Sequence, residues 1–357
     1  MTEIVQIVPK LPPASCGVGD YAYELAKSLL TRHGIKSRFI VCDPIWTTSS
    51  GEWDFPCHAL SLHQRKHLGS FLESPPISAS VVLAQFSGYG YAPRGAPYWL
   101  ANGLEDWQSP SKTLATMFHE LYADGPMTSS SYWLKPLQKW VIKKVARASK
   151  SLFTNRSAYQ AWLARYSSHA KKDIACIPVF SNLGESPLPQ PWETRENGIV
   201  AYGLGRNGDT PKSIHALTNL VRSQGIEKVT VMGHAPKELG QLPAEVIRAG
   251  FLPHDEAAVL LARSRFGYFD YYEGYLAKSG IFAALCAHGV APITRLQPQV
   301  EQDGLRHGRE FFDMDRESLP AGQGVFEALA VGAHRWYSPH NISATADVFA
   351  SKLAGRC

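Results

Sequence analysis

Short runs of apolar and β-branched residues alternate with segments of helical period along most of this chain. In the first half, strands are predicted at residues 4–8, 38–41, 80–86, 113–118, 151–154 and 174–179, and helices at 21–30, 133–147 and 157–166. In the second half, strands are predicted at 199–203, 228–233, 266–271 and 291–296, and helices at 212–223, 256–264, 279–288 and 342–353. Such alternation is typical of parallel sheets covered by helices. The sequence therefore predicts an α/β fold.

A proline-rich segment interrupts the alternation. Residues 186–197 read SPLPQPWETREN, with three prolines among polar residues, which is typical of a linker. The 357 residues exceed the ~100–200 of one ordinary core, so two domains are expected. We predict a Rossmann-like domain at 1–185, the linker at 186–197, a second Rossmann-like domain at 198–340, and a helical segment at 341–357 that packs back on the first domain.

The charge and cysteine content restrict the partners. The chain has 36 basic and 31 acidic residues, which gives a net charge of +5. This charge is too small to indicate a nucleic-acid partner, but it suits an anionic ligand or membrane surface. The six cysteines have no zinc-ligand spacing, which favours reduced thiols in the cytoplasm. No apolar run approaches the ~18 residues that span a bilayer.

Two motifs follow predicted strands in the first half. Residues 11–21 read LPPASCGVGDY, where Gly17 and Gly19 allow backbone to approach an anion at the start of the next helix. An ordinary tight turn is the alternative. Residues 117–122 read MFHELY, where His119 can donate to a hydroxyl or a developing charge and Glu120 can orient it. A structural histidine is the alternative there.

A glycine-rich loop follows the first strand of the second half. Residues 202–213 read YGLGRNGDTPKS and contain G-x-G-x-x-G, the pattern of dinucleotide-binding turns. The acid expected ~20 residues later is missing, because the next strand ends in Met-Gly-His. Arg206 and Lys212 flank the loop instead, which favours a diphosphate over a ribose diol. A solvated loop is the alternative.

The sharpest feature is the segment DYYEGYLAKSGIFAALCAHGVAP at 270–292. Ser279 can cap the predicted helix, while Lys278 and the free N–H groups face an anion. A lysine at a helix N-terminus opposes the helix dipole, so its position favours a negatively charged ligand. A surface lysine before a core helix is the alternative.

Four segments resemble those of a known protein family, and together they extend over nearly the full length of the chain. They are GVGDYAYELA at 17–26, MFHELYA at 117–123, IPVFSNLGE at 177–185 and YYEGYLAKSGIFAALCAHG at 271–289. The chain resembles retaining glycosyltransferases of the GT-B fold, particularly family 4 and its divergent bacterial relatives. The resemblance implies two Rossmann-like domains facing each other across a cleft, with the sugar nucleotide on the second and the acceptor on the first.

The resemblance also assigns roles to residues. It implies that Gly17 and Gly19 lie near the donor, His119 lies near the transferred sugar, and Arg206 with Lys212 binds the diphosphate. Residues 86–98, FSGYGYAPRGAPY, are candidates for the acceptor side. There the rings of Tyr89 and Tyr91 can stack on sugars and Arg94 can meet a polar or anionic group, although a packed loop fits as well.

One family motif is missing. The family has two glutamates eight positions apart, but counting back from Gly289 gives Ala284 and Leu276 at those positions. Glu273 lies nearby and is the candidate that replaces one of them. We therefore expect Lys278 and Ser279 to do more of the phosphate binding.

The activity that follows is transfer of a sugar from a nucleotide-activated donor to a hydroxyl of a glycan, a lipid-linked sugar or a small molecule. We expect a hexosyltransferase-like enzyme of polysaccharide biosynthesis that retains configuration and needs no metal or other cofactor, because cations and helix N-termini can stabilise the leaving group. The alternatives are a nicotinamide-dependent oxidoreductase or epimerase, and a non-catalytic sugar-nucleotide-binding protein.

Two further patterns complete the sequence-based picture. Asp313 and Asp315 match the D-x-D of metal-dependent sugar transferases, but they lie among charges rather than after an apolar strand, so no metal site is predicted. A basic stripe repeats at four-residue spacing opposite apolar positions, and its members are Lys135, Lys139, Lys143 and Arg147. The stripe fits a solvated face or a peripheral contact with anionic lipid at the inner face of the plasma membrane.

Overall fold

The computed structural model describes residues 2–12, 14, 16–47, 53–123, 125, 127–206, 208–272, 274–297, 302–320, 322 and 324–354. The chain divides into two compact units, one formed by Met1–Ile177 with Ile342–Cys357 and the other by Pro178–Asn341. Each unit has its own parallel sheet with helices between most of the successive strands, which confirms the predicted α/β class. Among the described helices, none is long and apolar enough to cross a membrane.

The first unit is built on a seven-stranded sheet in the order β3-β2-β1-β4-β5-β6-β7. Its strands are β1 (Glu3–Val8), β2 (Lys36–Val41), β3 (Cys57–Ala59), β4 (Val81–Phe86), β5 (Thr113–Phe118), β6 (Ser151–Thr154) and β7 (Ala175–Cys176). Its helices are α1 (Gly17–His33), α2 (Arg65–Glu73), α3 (Gly88–Tyr91), α4 (Tyr98–Trp107), α5 (Ser130–Ala148) and α6 (Ser157–Tyr166). Strands β4 and β5 are buried at every residue, as expected for a parallel sheet covered on both faces.

The second unit has a six-stranded sheet in the order β10-β9-β8-β11-β12-β13. Its strands are β8 (Glu196–Tyr202), β9 (Lys228–Met232), β10 (Glu245–Gly250), β11 (Ser264–Tyr272), β12 (Ala291–Gln297) and β13 (Phe312–Asp313). Its helices are α7 (Thr210–Gln224), α8 (His254–Arg263), α9 (Gly280–Ala287) and α10 (Gly324–Tyr337). Since β8 and β11 are neighbours in a parallel sheet, the loops that follow them lie side by side at its carboxyl edge.

The structure moves the predicted domain boundary. The division falls between Ile177 and Pro178, and the proline-rich residues 186–197 belong to the second unit. The ring of Trp192 is buried there, and the guanidinium of Arg195 donates to the carbonyl oxygens of Gly289 and His288 at 2.7 and 2.9 Å. A buried guanidinium needs such acceptors, so this segment is an integral part of the second unit rather than a linker between two domains.

Helix α11 (Ile342–Ala354) returns to the first unit and packs on α1. The ring of Phe349 stacks on Phe153 of β6 with centroids 3.9 Å apart. At the surface, Arg32 donates to both carboxylate oxygens of Asp347 at 3.1 and 3.0 Å. The contact agrees with the predicted docking of the C-terminal segment.

Candidate functional site

Two loops meet at the carboxyl edge of the second sheet. The loop after β8 contains Arg206, whose guanidinium lies 5.4 Å from the ring of Tyr271 at the end of β11. The hydroxyl of Tyr272 donates to the carbonyl oxygen of Arg206 at 3.3 Å. These two contacts place the exposed side chain of Arg206 beside the end of β11, from which the chain continues to Lys278.

The glycine-rich loop is a compact turn. The N–H of Gly205 donates to the carboxylate of Asp270 at 2.6 Å, and the N–H groups of Arg206 and Gly208 donate to carbonyls of the loop at 3.0 and 2.9 Å. Gly205 has a φ of +74°, and a Cβ there would lie 2.1 Å from the hydroxyl oxygen of Thr210. These N–H groups are used inside the protein, so the glycine pattern reflects turn geometry rather than a dinucleotide cradle.

A chain of charges lies beneath this loop. The guanidinium of Arg295 is 1% exposed, donates to both oxygens of Asp315 at 3.1 and 3.2 Å, and lies 3.9 Å from Asp270. Burial raises the pKa of Asp270, and the N–H of Gly205 and the Arg295 guanidinium oppose that rise. The ammonium of Lys212 lies 3.9 Å from Asp315, so this predicted diphosphate ligand already has a carboxylate partner.

The start of α7 is also occupied by a carboxylate. The side chain of Asp209 accepts a hydrogen bond from the N–H of Lys212 at 3.1 Å and caps the helix. A carboxylate at this position takes the place that an anionic ligand would have at a helix N-terminus. The N-terminus of α7 is therefore an unfavourable place for a phosphate.

The segment before α9 supplies the second cation. Ser279 accepts a hydrogen bond from the N–H of Phe282 at 3.3 Å, which confirms it as the N-cap. The Ser279 side chain is buried in that role, and its contact with phosphate stays a prediction. Lys278 is half-buried, with its ammonium 5.3 Å from the ring of Tyr275. Glu273, the other donor-side candidate, lies outside the described residues.

In the first unit, His119 stands at the carboxyl end of β5. Its Nε2 lies 2.8 Å from the amide oxygen of Gln85, and the ring of Tyr21 packs edge-on against the imidazole at 4.9 Å. The hydroxyl of Ser87 donates to Glu120 at 3.1 Å. Gln85, a residue that the sequence analysis did not select, therefore orients the imidazole.

The two glycines at the start of α1 have different reasons to be glycine. A Cβ on Gly19 would lie 2.1 Å from the carbonyl oxygen of Lys10, so Gly19 is required for the packing of the helix on the preceding loop. A Cβ on Gly17 would meet no atom within 4 Å. Only Gly17 keeps the open backbone that the ligand hypothesis needs.

The candidate acceptor loop is partly a core element. Tyr91 is buried, and its hydroxyl lies 2.9 Å from the carbonyl oxygens of Ile7 and Gln85. Its ring therefore cannot stack on a sugar, which corrects the prediction. Tyr89 and Arg94 are exposed, and the amide of Gln138 on α5 donates to the Tyr89 hydroxyl and to the Arg94 carbonyl at 3.1 and 2.9 Å.

The basic stripe on α5 does not form a free lysine surface. The ammonium groups of Lys135 and Lys139 lie over the ring of Tyr122, and that of Lys143 lies 4.2 Å from the ring centroid of Tyr166. Two large aromatic side chains of α5, Trp133 and Trp140, are 70% and 45% exposed. The helix surface is aromatic and basic rather than purely basic.

The D-x-D pair is used inside the second unit. Asp313 ends the buried strand β13, contrary to the expected position, and accepts from the N–H groups of Leu296 and Asp315 at 3.3 and 3.0 Å. Asp315 holds Arg295. Within the described ranges, no group of three or more His, Cys, Asp or Glu side chains is arranged to hold a metal ion.

Comparisons with known proteins identify the architecture. No protein-family model and no curated protein matches the chain. Among solved structures, the GtfA/B complex matches with a TM-score of 0.67 at 10% identity, over 99% of both chains. An alpha-glucosyltransferase (AGT) in complex with UDP matches with a TM-score of 0.58 at 12% identity, over 99% of both chains. The fold is GT-B.

The same fold also occurs outside the transferases. A UDP-GlcNAc 2-epimerase from Neisseria meningitidis bound to UDP-GlcNAc matches with a TM-score of 0.57 at 10% identity, over 99% of this chain and 100% of that chain. The GT-B likeness confirms the predicted fold class. At such identities it carries the fold alone, so membership of family 4 stays a prediction.

Several polar residues that organise this GT-B chain are not among those predicted from the sequence. Gln85, Asp270 and Arg295 are each buried near the carboxyl end of a strand. Asn155, directly after β6, donates to the carbonyl oxygen of His119 at 3.3 Å. A polar residue near the carboxyl end of a buried strand was the available signal, because burial demands a hydrogen-bonding partner.

Proposed function

We propose that this chain is a glycosyltransferase that moves a sugar from a nucleotide-activated donor to a hydroxyl group. The observation that carries the proposal is the joined pair of loops at the carboxyl edge of the second sheet, where Arg206 and Lys278 flank aromatic residues. Ligands of open α/β sheets bind at that edge. The likeness to an alpha-glucosyltransferase in complex with UDP supports the same reading.

In this proposal, Arg206 and Lys278 hold the diphosphate of the donor. Breaking the bond between the anomeric carbon and the phosphate oxygen leaves negative charge on the nucleoside diphosphate. Fixed donors aimed at such charge contribute about 2.7–4 kcal/mol each. Lys212 has a different task, because its proximity to Asp315 makes it the surface end of the buried charge chain.

The first unit supplies the acceptor side. His119 contacts the transferred sugar, and the exposed Tyr89 and Arg94 contact the acceptor. We propose that the reaction retains the configuration of a transferred hexose, needs no metal, and serves polysaccharide biosynthesis. The cations named above take the place that a metal ion has in other transferases.

Binding of UDP, followed by titration calorimetry, tests the donor site. Lys278→Ala is expected to weaken UDP binding at least tenfold. Lys228→Ala is the matched control, because Lys228 is half-buried, as Lys278 is, and lies at the opposite, amino edge of the same sheet. Equal affinities of the two variants would remove Lys278 from the site.

Product analysis tests the reaction itself. The protein is incubated with a panel of nucleotide sugars, with and without hydroxyl acceptors, and release of the nucleoside diphosphate is followed. Transfer predicts release that depends on the acceptor, and His119→Ala is expected to lower turnover far more than UDP affinity. Binding without turnover on any donor would favour the non-catalytic alternative.

A sugar-nucleotide epimerase is the second candidate, because the GT-B fold is shared with a UDP-GlcNAc 2-epimerase. Epimerisation predicts a changed sugar without any acceptor. Proton NMR of the anomeric region distinguishes an epimer from a glycoside in the same incubations.

Contact with anionic lipid is part of the proposal, but through different residues than the lysine stripe. Trp133 and Trp140 are exposed on a helix that carries five basic and no acidic residues, and Trp side chains favour the interfacial region of membranes. Co-sedimentation with anionic vesicles at low salt is expected to fall for the double variant Trp133→Ala and Trp140→Ala. Charge reversal at Lys135, which lies over Tyr122, is expected to have a smaller effect.

A further inference from the structure

Two consecutive tyrosines at the end of β11 contact Arg206, which lies in the loop after the neighbouring strand β8. The ring centroid of Tyr271 lies 5.4 Å from the guanidinium carbon of Arg206, and the hydroxyl of Tyr272 donates to the Arg206 carbonyl oxygen at 3.3 Å. The backbone N–H of Arg206 donates to the carbonyl oxygen of Gly203 at 3.0 Å. The side chain and both backbone polar groups of Arg206 are therefore each held by another residue.

The residue before Arg206 is fixed from the same strand. The N–H of Gly205 donates to the carboxylate of Asp270 at 2.6 Å, so three successive residues of β11 contact two successive residues of the loop. A Cβ on Gly205 would lie 2.1 Å from the hydroxyl oxygen of Thr210, which shows how closely this turn is packed. The backbone of the loop is thereby fastened to the end of β11.

The guanidinium of Arg206 differs from the neighbouring cations Lys212 and Arg295. The ammonium of Lys212 lies 3.9 Å from Asp315, and Arg295 donates to both oxygens of the same carboxylate. Across the residues that the structure describes, the exposed guanidinium of Arg206 has no hydrogen-bond or ion-pair partner. Its contact with a ring face uses none of its five N–H donors. The loop thus presents a held cation whose donors are unused.

Stability alone does not explain these two contacts. Tyr272 is 48% exposed, and its hydrogen bond to a surface carbonyl replaces equivalent bonds to water. An exposed arginine is otherwise mobile, and a ligand that has to order it binds more weakly for that reason. An arginine that is ordered beforehand avoids this loss, and its planar fork matches two oxygens of a phosphate.

We propose that Tyr271 and Tyr272 are positioning residues that hold the Arg206 guanidinium for bidentate binding of a diphosphate. With the proposed function, on which this step rests, the diphosphate is that of the nucleotide-activated donor. Tyr271 fixes the side chain through its ring face, and Tyr272 fixes the backbone through its hydroxyl. Both tyrosines act on the diphosphate through Arg206, which makes the contact itself.

Titration calorimetry with UDP tests the hydroxyl of Tyr272. Tyr272→Phe removes one hydrogen bond to Arg206 and is expected to weaken UDP binding about threefold to tenfold. Tyr132→Phe is the matched control, because it removes an exposed hydroxyl of the first unit and is expected to leave the affinity within about twofold. An unchanged affinity in Tyr272→Phe would overturn the proposal.

A conservative and a non-conservative variant test the ring of Tyr271. Tyr271→Leu removes the aromatic face and is expected to weaken UDP binding about threefold or more. Tyr271→Phe keeps that face and is expected to restore the affinity to within about twofold of the wild type. A loss of the same size in both variants would contradict the contact through the ring face.

Two comparisons separate the positioning of Arg206 from general damage at this edge of the sheet. Uridine has no phosphate, so its affinity in an NMR titration is expected to be the same in the wild type, Tyr272→Phe and Tyr271→Leu. In an Arg206→Ala background, Tyr272→Phe is expected to cause no further loss of UDP affinity, because both changes act on one contact. Equal losses for UDP and uridine, or additive losses in the double variant, would contradict the proposal.

Inorganic pyrophosphate separates this inference from the proposed function. The wild type is expected to bind pyrophosphate, and Tyr272→Phe is expected to bind it more weakly by the same factor as UDP. That result in a protein that transfers no sugar would uphold this inference and reject the proposed function. Sugar transfer with UDP and pyrophosphate affinities that depend on neither tyrosine would reject this inference alone, and a wild type that binds neither probe would overturn both.

Discussion

The carboxylate of Asp270 accepts a hydrogen bond from the backbone N–H of Gly205 at 2.6 Å. Asp270 stands on β11, and Gly205 lies in the loop after the neighbouring strand β8. Dinucleotide-binding turns have an acid at the end of the next strand that binds a ribose. Here an acid on the other neighbouring strand binds the loop itself, which explains how the glycine pattern occurs without the expected ribose ligand.

Asp270 is expected to be essential for the stability of the second unit. Asp270→Ala leaves Arg295 buried with one carboxylate fewer and the Gly205 N–H without its acceptor, so the free energy of unfolding should fall by about 3–5 kcal/mol. Asp270→Asn keeps an oxygen for Gly205 and should lose less. Urea unfolding measures both. A loss below about 1 kcal/mol in Asp270→Ala would contradict the role of this charge chain.

The glycines of α1 provide a matched pair. Gly19→Ala places a Cβ against the carbonyl oxygen of Lys10 and is expected to lower the free energy of unfolding by about 2 kcal/mol or more. Gly17→Ala meets open space, and alanine is about 1 kcal/mol better than glycine in a helix, so stability should be kept or raised. Thermal unfolding compares the two. Reduced UDP affinity confined to Gly17→Ala would support a ligand at this position, and equal melting temperatures would refute the packing argument.

Removal of metal ions is expected to leave the activity intact. Asp315 is held by Arg295, and Asp313 accepts backbone N–H groups, so neither carboxylate is presented to a cation as a pair. Turnover and UDP affinity should stay within about twofold after dialysis against EDTA. Loss of activity that Mg²⁺ or Mn²⁺ restores would return Asp313 and Asp315 to the list of metal ligands.

Acid is expected to destabilise the protein through His340. Burial lowers the pKa of His340 to about 3, below the ~6.5 of an unfolded histidine. Between these values the unfolded chain binds a proton that the folded chain does not. The contribution of His340 is therefore complete above pH ~6.5 and falls toward pH 3 by up to about 1.4 kcal/mol per pH unit.

Urea unfolding between pH 7.5 and 5 checks this dependence. His340→Gln should flatten the slope, whereas His254→Gln should not, because His254 is exposed at the start of α8. Parallel slopes in the wild type and His340→Gln would show that other groups cause the acid sensitivity.

Local pattern was sufficient for the long buried elements. The strands at 113–118 and 151–154 and the helix at 157–166 have the predicted bounds, because continuous burial leaves a continuous apolar or helical signal. Strand β10 alternates little and is only partly buried, and β13 has two residues, so neither left a readable pattern. Helix α4 was missed because Asn and Gly stand in its middle, where both lower helix propensity.

The site was predicted in outline only. Ser279 was found because an N-cap is a local pattern, with serine accepting from an N–H three residues later. Tyr91 was wrongly predicted to be exposed, because its burial depends on β1 and β4. Carbonyl oxygens of these strands accept hydrogen bonds from its hydroxyl. The boundary at 186–197 was misplaced because proline content indicates an extended chain but does not tell what Arg195 binds.

The order of apolar runs, helical periods and caps along the sequence was enough to determine two parallel α/β units, and the resemblance of its motifs to a known family implied the GT-B fold. Only the tertiary structure decided which polar groups pair: Asp270 with Gly205, Lys212 with Asp315, and Gln85 with His119. These partners lie far apart along the chain and meet because the strand order of each sheet brings them together. Because buried polar groups need hydrogen-bonding partners, each pairing is then required. The residues next to each group in the sequence do not show which partner it has.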